Sequence, residues 1–370
     1  MAEFISEVHI LPQAERESPW RRAVQSRAVM AIASPVLLLV IFGYAARFEV
    51  SSIPTVVVGP QAELVASQLH APFQVVEVDP GAGRSLVESR LQDGRAVVGV
   101  VTGRSPILAL MDGTQLFSVQ AAEGALARMA QAAKAIGATA PAVTVHILYN
   151  PNLATSWIMI PGLTGLILLF VGGLITSLGI VRERQSGTIE QLAVMPFRPW
   201  DVILGKIVPY LLLAALDLTV IVVVGMLLFG VPFAGNVGIF ALGAMLFLLV
   251  TLGMGVLIST VSQNQGQAIQ LAIMFVVPQI LLSGLIFPIA SMAAGVRWIA
   301  YVLPLSWYID ISRGVMLKDT PITALWEPLV VLAAMAVAVL GLAMLRFRRD
   351  LAPSARRRRV IAPEPEPVSP

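Results

Sequence analysis

Six long apolar stretches alternate with polar segments along this chain. They lie at residues 28–46, 157–181, 207–229, 236–261, 268–290 and 328–345. A helix needs about 20 apolar residues to cross a hydrocarbon core roughly 30 Å thick, and these stretches meet or approach that length. Five of them contain no charged residue, and the third contains only Asp217. The pattern therefore predicts an α-helical polytopic membrane protein with six transmembrane helices.

Residues 47–155, between the first two stretches, have a different pattern. Runs rich in β-branched residues alternate there with helical periodicity, which is typical of a small α/β domain. The predicted strands are 55–58, 75–78, 96–101 and 143–148, and the predicted helices are 61–70, 84–93 and 115–136. The segment contains no nucleotide-binding fingerprint.

Composition and charge placement support a membrane location and give an orientation. Hydrophobic residues make up 57% of the 370 residues and charged residues 13%, whereas charged residues are near a quarter of a soluble domain. Four Lys or Arg precede the first stretch, four lie between the second and third, and seven follow the last. Cytoplasmic loops are enriched in such residues, so both termini and the 182–206 loop are predicted inside and residues 47–155 outside. This placement explains the basic residues without a nucleic-acid partner.

The two termini flank the predicted membrane helices. Residues 1–27 are predicted to be a cytoplasmic segment with an interfacial helix that begins near Trp20, after the Ser18 cap and Pro19. The stretch 28–46, which ends in Gly43-Tyr44-Ala45, also has features of a signal peptide, but it is longer than the usual apolar core, so a retained helix is expected. Residues 346–370 are basic and then proline-rich, and they are predicted to form an unpacked cytoplasmic tail.

The 182–206 loop contains signals for a short helix. Thr188 and Gln191 form a capping box, Glu190 suits the positive end of a helix, and Pro196 ends it. An ordinary charged loop is the alternative interpretation.

Two long segments of the chain resemble a known family. The run RERQSGTIEQLAVMPFRPWDVILGKIVPY resembles the cytoplasmic signature of ABC-2-type export permeases, and LLSGLIFPIASMAAGVRWIAYVLPLSWYIDISRGVMLKD resembles their region between helices five and six. With the VPFAGN turn, these segments resemble the multidrug-efflux-type subgroup, which has a large extracytoplasmic domain after the first helix. One departure is Ala293, which follows Met292 where the family often has proline.

The resemblance implies that the short helix docks on a separate ATPase. Within that region it assigns Glu183, Gly187, Thr188, Glu190 and Pro196 to coupling, and Gly205 and Lys206 to its exit. The chain contains no GxxxxGK followed by Ser or Thr, so ATP and Mg are expected on the partner ATPase and no cofactor in this chain. A second permease protomer, identical or related, and a periplasmic membrane-fusion adaptor are further candidate partners.

The segment from Gly284 to Lys318 is the predicted outer gate. Pro278 and Pro288 interrupt the fifth stretch, and a helix broken in the membrane needs its freed carbonyls buried in protein or facing a watery cavity. Candidate gate residues are Pro288, Pro304, Trp307 and Arg313. A belt of interfacial aromatic residues is the alternative explanation for the Trp and Tyr residues of this segment.

Asp217 is the one carboxylate inside a predicted membrane helix. It costs roughly 2.5–3.5 kcal/mol on insertion, which the surrounding Leu, Ile and Val residues outweigh. Such residues usually face the bundle interior, so Asp217 is a candidate for the translocation path or a protomer interface. The alternative is a carboxyl that only packs helices together.

Together these features predict a permease of the bacterial inner membrane that exports a hydrophobic or amphipathic, drug-like compound. One alternative is the membrane subunit of an ATPase-driven envelope complex that does not itself transport. Another is an ion-coupled secondary carrier, in which an internal repeat would be expected. An enzyme is disfavoured: the three histidines are scattered, cysteine is absent, and neither His-Glu-x-x-His nor Gly-x-Ser-x-Gly occurs, so neither a catalytic nor a metal site is predicted.

Overall fold

The computed structural model describes residues 52–135, 142–186 and 199–351, together with Gly43 and Val50. An α/β domain comes first in this part of the chain. Its elements are β1 (Ile53–Val58), α1 (Ala62–Gln68), β2 (Phe73–Asp79), α2 (Arg84–Gln92), β3 (Val98–Val101), β4 (Ile107–Asp112), α3 (Leu116–Ala135) and β5 (Val143–Leu148).

A five-stranded sheet with the order β2-β1-β3-β4-β5 organises this domain. Only the β3–β4 pair is antiparallel. Successive strand side chains point to opposite faces, and each face is covered by helices. Ile53 and Val57 pack in one cluster with Val119 of α3, whereas Val56 and Val58 pack in another with Leu91 of α2.

Strand β4 is absent from the predictions made from the sequence. Its residues Ile-Leu-Ala-Leu-Met-Asp include types that favour helices at least as much as strands. Pairing with β3 and β5 determines its conformation instead. The β-rich runs 55–58, 75–78 and 143–148 all lie in strands, and the run 96–101 becomes a strand only from Val98.

The rest of the described chain is helical. It comprises α4 (Thr155–Leu169), a π-helical segment (Phe170–Ile175), α5 (Thr176–Gln185), α6 (Pro199–Phe229), α7 (Val237–Val261), α8 (Gln265–Leu282), a 3₁₀ turn (Ile289–Ser291), α9 (Ala294–Val302), α10 (Pro304–Lys318) and α11 (Ile322–Leu351).

Five helical segments in the described part of the chain are long and apolar enough to cross a membrane: Thr155–Gln185, Ile207–Phe229, Val237–Val261, Gln265–Leu282 and Ile322–Arg346. They coincide with the second to sixth predicted helices. The predicted first helix lies outside the described residues, apart from the helical Gly43, and so do the interfacial helix near Trp20 and most of the C-terminal tail.

The boundaries of the last two spans differ from the predictions. Helix α8 ends at Leu282 rather than at residue 290, because Gly284 adopts a φ of 84° that a continuing helix cannot accommodate. Helix α11 begins at Ile322 and continues through Pro328, which costs the helix one backbone hydrogen bond without ending it.

Helix α7 is the central helix of the bundle. It packs against α11, α10, α5 and the π-helical segment. Gly172 of that segment lies against the Thr251 side chain, and Gly255 of α7 lies against the Gly172 carbonyl, so a Cβ atom at either glycine would collide. The π-helical segment and α7 therefore approach backbone to backbone.

Candidate functional site

The segment between α8 and α11 does not cross the bundle as a single helix. Helix α9 has 9 residues and α10 has 15, which corresponds to about 14 Å and about 22 Å. Both are shorter than the roughly 30 Å of a hydrocarbon core. Helix α9 packs on α8 and α10, and α10 packs on α4, α7 and α11. This segment is the one that the sequence assigned to the outer gate.

Arg313 of α10 joins the broken end of α8 to α4. Its guanidinium donates to the Ile158 carbonyl at 3.1 Å, to the Gly284 carbonyl at 3.3 Å and, over a longer 3.5 Å, to the Leu285 carbonyl. Carbonyls of a chain that turns inside a membrane protein need donors. Arg313, one of the predicted gate residues, supplies them to the turn that follows Leu282, the last residue of α8, and to the first turn of α4.

The other predicted gate residues fix the ends of the short helices. Pro288 begins the 3₁₀ turn and its carbonyl accepts from the Ser291 hydroxyl at 2.8 Å. Pro304 is the first residue of α10 and is buried. The half-buried Trp307 donates its indole N–H to the Tyr301 carbonyl at 2.9 Å, which ties α10 to α9.

Ala293, the departure from the family pattern, retains a backbone that proline would adopt. Its φ is −58° and its ψ is 141° at the start of α9. Proline fixes φ near −65°. The loop therefore has a proline-like geometry without proline.

Tyr308 anchors α10 in the bundle, and the sequence did not single it out. Its ring is fully buried and stacks on Phe247 of α7 with centroids 4.7 Å apart. Its hydroxyl lies 2.9 Å from the Thr164 hydroxyl, which itself donates to the Pro161 carbonyl at 2.6 Å. Gly165 lies directly against the Tyr308 ring, where no side chain would fit.

Gln279 joins α8 to the start of α10. Its side-chain oxygen accepts from the backbone N–H of Leu305 at 3.2 Å. The first N–H groups of a helix have no partner within that helix, so Gln279 acts as an external cap for α10. Its side-chain nitrogen is buried and makes no hydrogen bond to the described residues.

A polar junction with a buried ion pair at its centre joins the end of α10 to the α/β domain. We define this junction as Gln92, Asp112, Lys318, Asp319 and Thr320. The Lys318 ammonium forms an ion pair with the Asp112 carboxylate, and their side chains are 8% and 1% exposed. The Gln92 amide donates to the Asp319 carbonyl at 2.8 Å, and the Thr320 hydroxyl donates to the Gln92 carbonyl at 3.0 Å. The end of α10 is thereby held against the α/β domain.

Further groups hold the ion pair in place. Asp112 also accepts from the Thr114 hydroxyl at 2.7 Å, and Lys318 also donates to the Leu91 carbonyl at 3.3 Å. The ammonium lies 5.8 Å from the centre of the Tyr149 ring. Burial raises the pKa of the Tyr149 hydroxyl to about 12, and the negative charge of Asp112 adds to this rise. Tyr149 therefore stays neutral and contributes the face of its ring to Lys318.

The predicted coupling region lies at the opposite end of the bundle. Helices α4 and α5 and the π-helical segment between them run 31 residues from Thr155 to Gln185, about 46 Å. At that far end the Gln265 amide of α8 donates to the Gln185 side chain at 3.1 Å. Glu183 is half-buried in α5, and Gly205 is exposed in α6, which also contains Lys206. Gly187, Thr188, Glu190 and Pro196 lie outside the described residues.

Asp217 is a half-buried residue of α6. Its neighbours Leu216 and Val220 are exposed. Within residues 52–135, 142–186 and 199–351, no hydrogen bond or ion pair is found for its carboxylate. Its role stays a prediction.

Comparisons with known proteins identify relatives of this chain. A family model described as "ABC-2 family transporter protein" matches residues 27–345. The chain is similar to "Probable multidrug ABC transporter permease YbhR" of Escherichia coli (strain K12), with 32% identity over 209 residues, 56% of this chain and 57% of that protein.

Two further relatives come from the same organism. "Probable multidrug ABC transporter permease YbhS" is 29% identical over 350 residues, which cover 87% of this chain and 92% of YbhS. "Inner membrane transport permease YhhJ" is 30% identical over 212 residues, which cover 55% of this chain and 54% of YhhJ. The chain thus spans little more than half of YbhR and YhhJ, but most of YbhS.

Proposed function

The chain belongs to the ABC-2 family of transporters, and we propose that it is the permease subunit of an exporter for a hydrophobic or amphipathic, drug-like compound. The names of YbhR and YbhS, both probable multidrug permeases, support this substrate class. In the proposal the substrate leaves the cytoplasm or the bacterial inner membrane, and a separate ATPase subunit binds ATP and Mg and supplies the energy. This chain then has no catalytic site of its own.

The observation that carries the proposal is the connection of α8 to both ends of the bundle. Gln265 at its start bonds Gln185, next to the predicted coupling segment. Gln279, near its other end, bonds Leu305 at the start of α10. Helix α8 has 18 residues and a length of about 27 Å, and it continues through Pro278, so a single helix joins the two contacts.

We assign the outer gate to α9 and α10 and the coupling contact to the segment from Thr188 to Met195. ATPase closure would move the start of α8, and α8 would shift α10 relative to α4. Because Lys318 and Asp112 join α10 to the α/β domain, that domain would move with the gate. An adaptor bound to the domain could then sense or assist gate opening.

The proposed topology has six spans, both termini in the cytoplasm and the α/β domain outside. The distribution of Lys and Arg supports it. Cysteine is absent from the chain, so the variants Ser89→Cys and Ser186→Cys each present a single thiol. An impermeant thiol reagent applied to intact cells should label Ser89→Cys and leave Ser186→Cys unlabelled. The reverse result would overturn the orientation.

The proposal also includes a second permease protomer, identical or related, and two ATPase subunits. Asp217 on the largely exposed α6 is assigned to the interface between protomers or to the translocation path. A carboxylate in hydrocarbon is costly, which favours a partner or a polar cavity beside it.

Two other functions remain distinguishable from export. An envelope complex that does not transport would use the same ATPase-driven movement of the α/β domain. An ion-coupled carrier would require neither ATP nor an ATPase.

Reconstitution tests all three possibilities. Proteoliposomes that contain only the full chain and its ATPase should move a lipophilic dye when ATP is added, even with a protonophore present. Dye movement that requires an ion gradient instead of ATP would indicate a carrier. ATP hydrolysis without dye movement, across a panel of neutral and charged dyes, would favour the envelope complex.

A further inference from the structure

A groove opens in the bundle at the end remote from the α/β domain. Its volume is about 850 Å³, and its walls come from the end of α7, the middle of α8 and the end of α11. Helix α11 starts next to Thr320, which bonds the α/β domain, and reaches the groove at Leu342, about 30 Å further along. Its wall residues include Met254, Val261, Met274, Leu342 and Arg346.

The apolar walls require an apolar occupant. The side chains of Val261, Met274 and Leu342 are 40%, 46% and 57% exposed. In a membrane protein these surfaces face hydrocarbon, and a gap left beside them would lose dispersion contacts. Water finds few polar partners along such walls, so apolar groups cover them better than water does. The flexible side chains of Met254 and Met274 can adapt to an acyl chain.

Arg346 supplies a positive charge to the lining of the groove. It is the single charged residue among the described residues that line the groove, and it is the last residue of the span Ile322–Arg346. An arginine at the end of a span extends its charge to the level of the lipid headgroups. Among the described residues no carboxylate pairs with it. Its guanidinium is free to bind a phosphate through two parallel hydrogen bonds.

We propose that this groove binds one anionic phospholipid, with an acyl chain along the apolar walls and the phosphate at Arg346. Basic pockets between membrane helices bind anionic headgroups in this way. The inference goes beyond the permease function, because it requires only that the helices lie in a membrane. It depends neither on the orientation nor on ATP-driven export.

Native mass spectrometry of the full chain in detergent tests the proposal. Phosphatidylglycerol and phosphatidylcholine are added separately as probes. The wild type should retain one phosphatidylglycerol more strongly than phosphatidylcholine. Arg346→Gln should weaken phosphatidylglycerol retention about five-fold and phosphatidylcholine retention less, because the choline cation offsets the charge of the phosphate that both lipids carry. Met274→Trp, at an exposed wall position, should weaken retention of both lipids because the indole fills the groove.

Arg182→Gln is the matched control, because Arg182 is an exposed cation at the same end of the bundle but does not line the groove. It should leave retention of both lipids unchanged. An equal loss for Arg182→Gln and Arg346→Gln would mean general charge attraction and would overturn the proposal. If a transported dye displaced the lipid, the groove would be a substrate site and the proposal would be wrong. If Met274→Trp changed the oligomeric state but not lipid retention, the groove would instead be a contact with a second copy of the chain.

Discussion

The side-chain oxygen of Gln279 accepts the backbone N–H of Leu305 at 3.2 Å, so a residue of α8 caps the first turn of α10. The Gln279 side chain is fully buried. Its unpaired nitrogen leaves one polar group without a hydrogen bond in this conformation. A shift of α10 that gives this nitrogen an acceptor would recover part of the cost of burying it.

Gln279→Leu should disconnect α8 from α10 with little effect on stability. The substitution leaves the Leu305 N–H unpaired, at a cost of about 1–3 kcal/mol, but it also removes an unpaired buried nitrogen of similar cost. Protein level and thermal unfolding should therefore stay near wild type while ATP-driven dye export falls. The control is Gln270→Leu, an exposed glutamine of the same helix, which should retain export. Full export by Gln279→Leu would remove this contact from the mechanism.

Lys318→Met should strongly destabilise the junction between α10 and the α/β domain. It leaves the buried Asp112 carboxylate without its counter-ion, which costs about 3–5 kcal/mol. Thermal unfolding of the purified chain measures the loss. Arg84→Met breaks the exposed Arg84–Glu88 pair as a control and should change the unfolding free energy by less than about 0.5 kcal/mol.

The same ion pair can be tested by combining substitutions. Asp112→Asn leaves Lys318 buried without a carboxylate, so it should also destabilise the protein. Because each single change removes the same interaction, the double variant should lose far less than the sum of the two single losses. Additive losses would show that the two side chains act independently.

Glu77 should make part of the α/β domain's stability dependent on pH. The hydrogen bond from Arg90, at 2.7 Å, lowers the pKa of Glu77 below its ordinary value of 4.5. The stabilisation is thus fully present above about pH 4.5 and is lost as the pH falls through the lower value of the folded state. Glu77→Gln should therefore be less stable than wild type at pH 7, and the difference should shrink as the pH falls below about 4.5.

Acid and neutral unfolding curves of the full chain measure this effect. The difference should be small, because the side chains of Arg90 and Glu77 are 24% and 35% exposed and water screens the pair. Glu63→Gln, at an exposed carboxylate of α1, should follow the wild type at both pH values. If the unfolding curve of Glu77→Gln at pH 7 matched that of the wild type, the prediction would be wrong.

The double variant Thr188→Ala, Glu190→Lys should uncouple hydrolysis from export. Thr188→Ala removes a cap of about 1 kcal/mol, and Glu190→Lys places a positive charge at the positive end of the predicted helix, at about 0.3–1 kcal/mol. Neither loss threatens the membrane helices. The variant should reach the membrane, bind its ATPase more weakly in pull-down and lose substrate-stimulated hydrolysis together with export.

Arg358, in the predicted cytoplasmic tail, provides the control for this variant. Arg358→Gln should leave ATPase binding, hydrolysis and export unchanged. If the double variant also retained all three, the segment would be only a charged connector.

The membrane helices could be predicted because hydropathy is a local property of the chain. An apolar run such as 236–261 has no stable alternative to a buried or lipid-facing helix. The end of α8 was harder to predict. The apolar run continues to residue 290, and only the backbone geometry of Gly284 shows where the helix stops.

The polar junction could not be predicted from the sequence. Lys318 and Asp112 are 206 residues apart, and neither belongs to a motif. Lys318 looks like an ordinary cation at a helix end, and Asp112 like an ordinary turn residue before Thr114. Their pairing depends on how the sheet docks on the bundle, and no single-sequence pattern reports that. The proline interruptions placed the gate in the segment that contains Arg313, but its three carbonyl partners came only from the structure.

The π-helical segment Phe170–Ile175 fixes the rotational phase between the two halves of its span. A wider turn accommodates one residue more than an α-helix would, and each residue of an α-helix turns the chain by about 100°. Thr164 and Gly165 contact Tyr308 from one half of the span, and Gln185 bonds Gln265 from the other half. Both contacts can therefore form together only while this extra residue is kept. Removing one residue there would leave an apolar helix still able to span the bilayer. The contacting faces of its two halves would then be rotated relative to each other. The length of this segment is therefore constrained as strictly as its hydrophobicity.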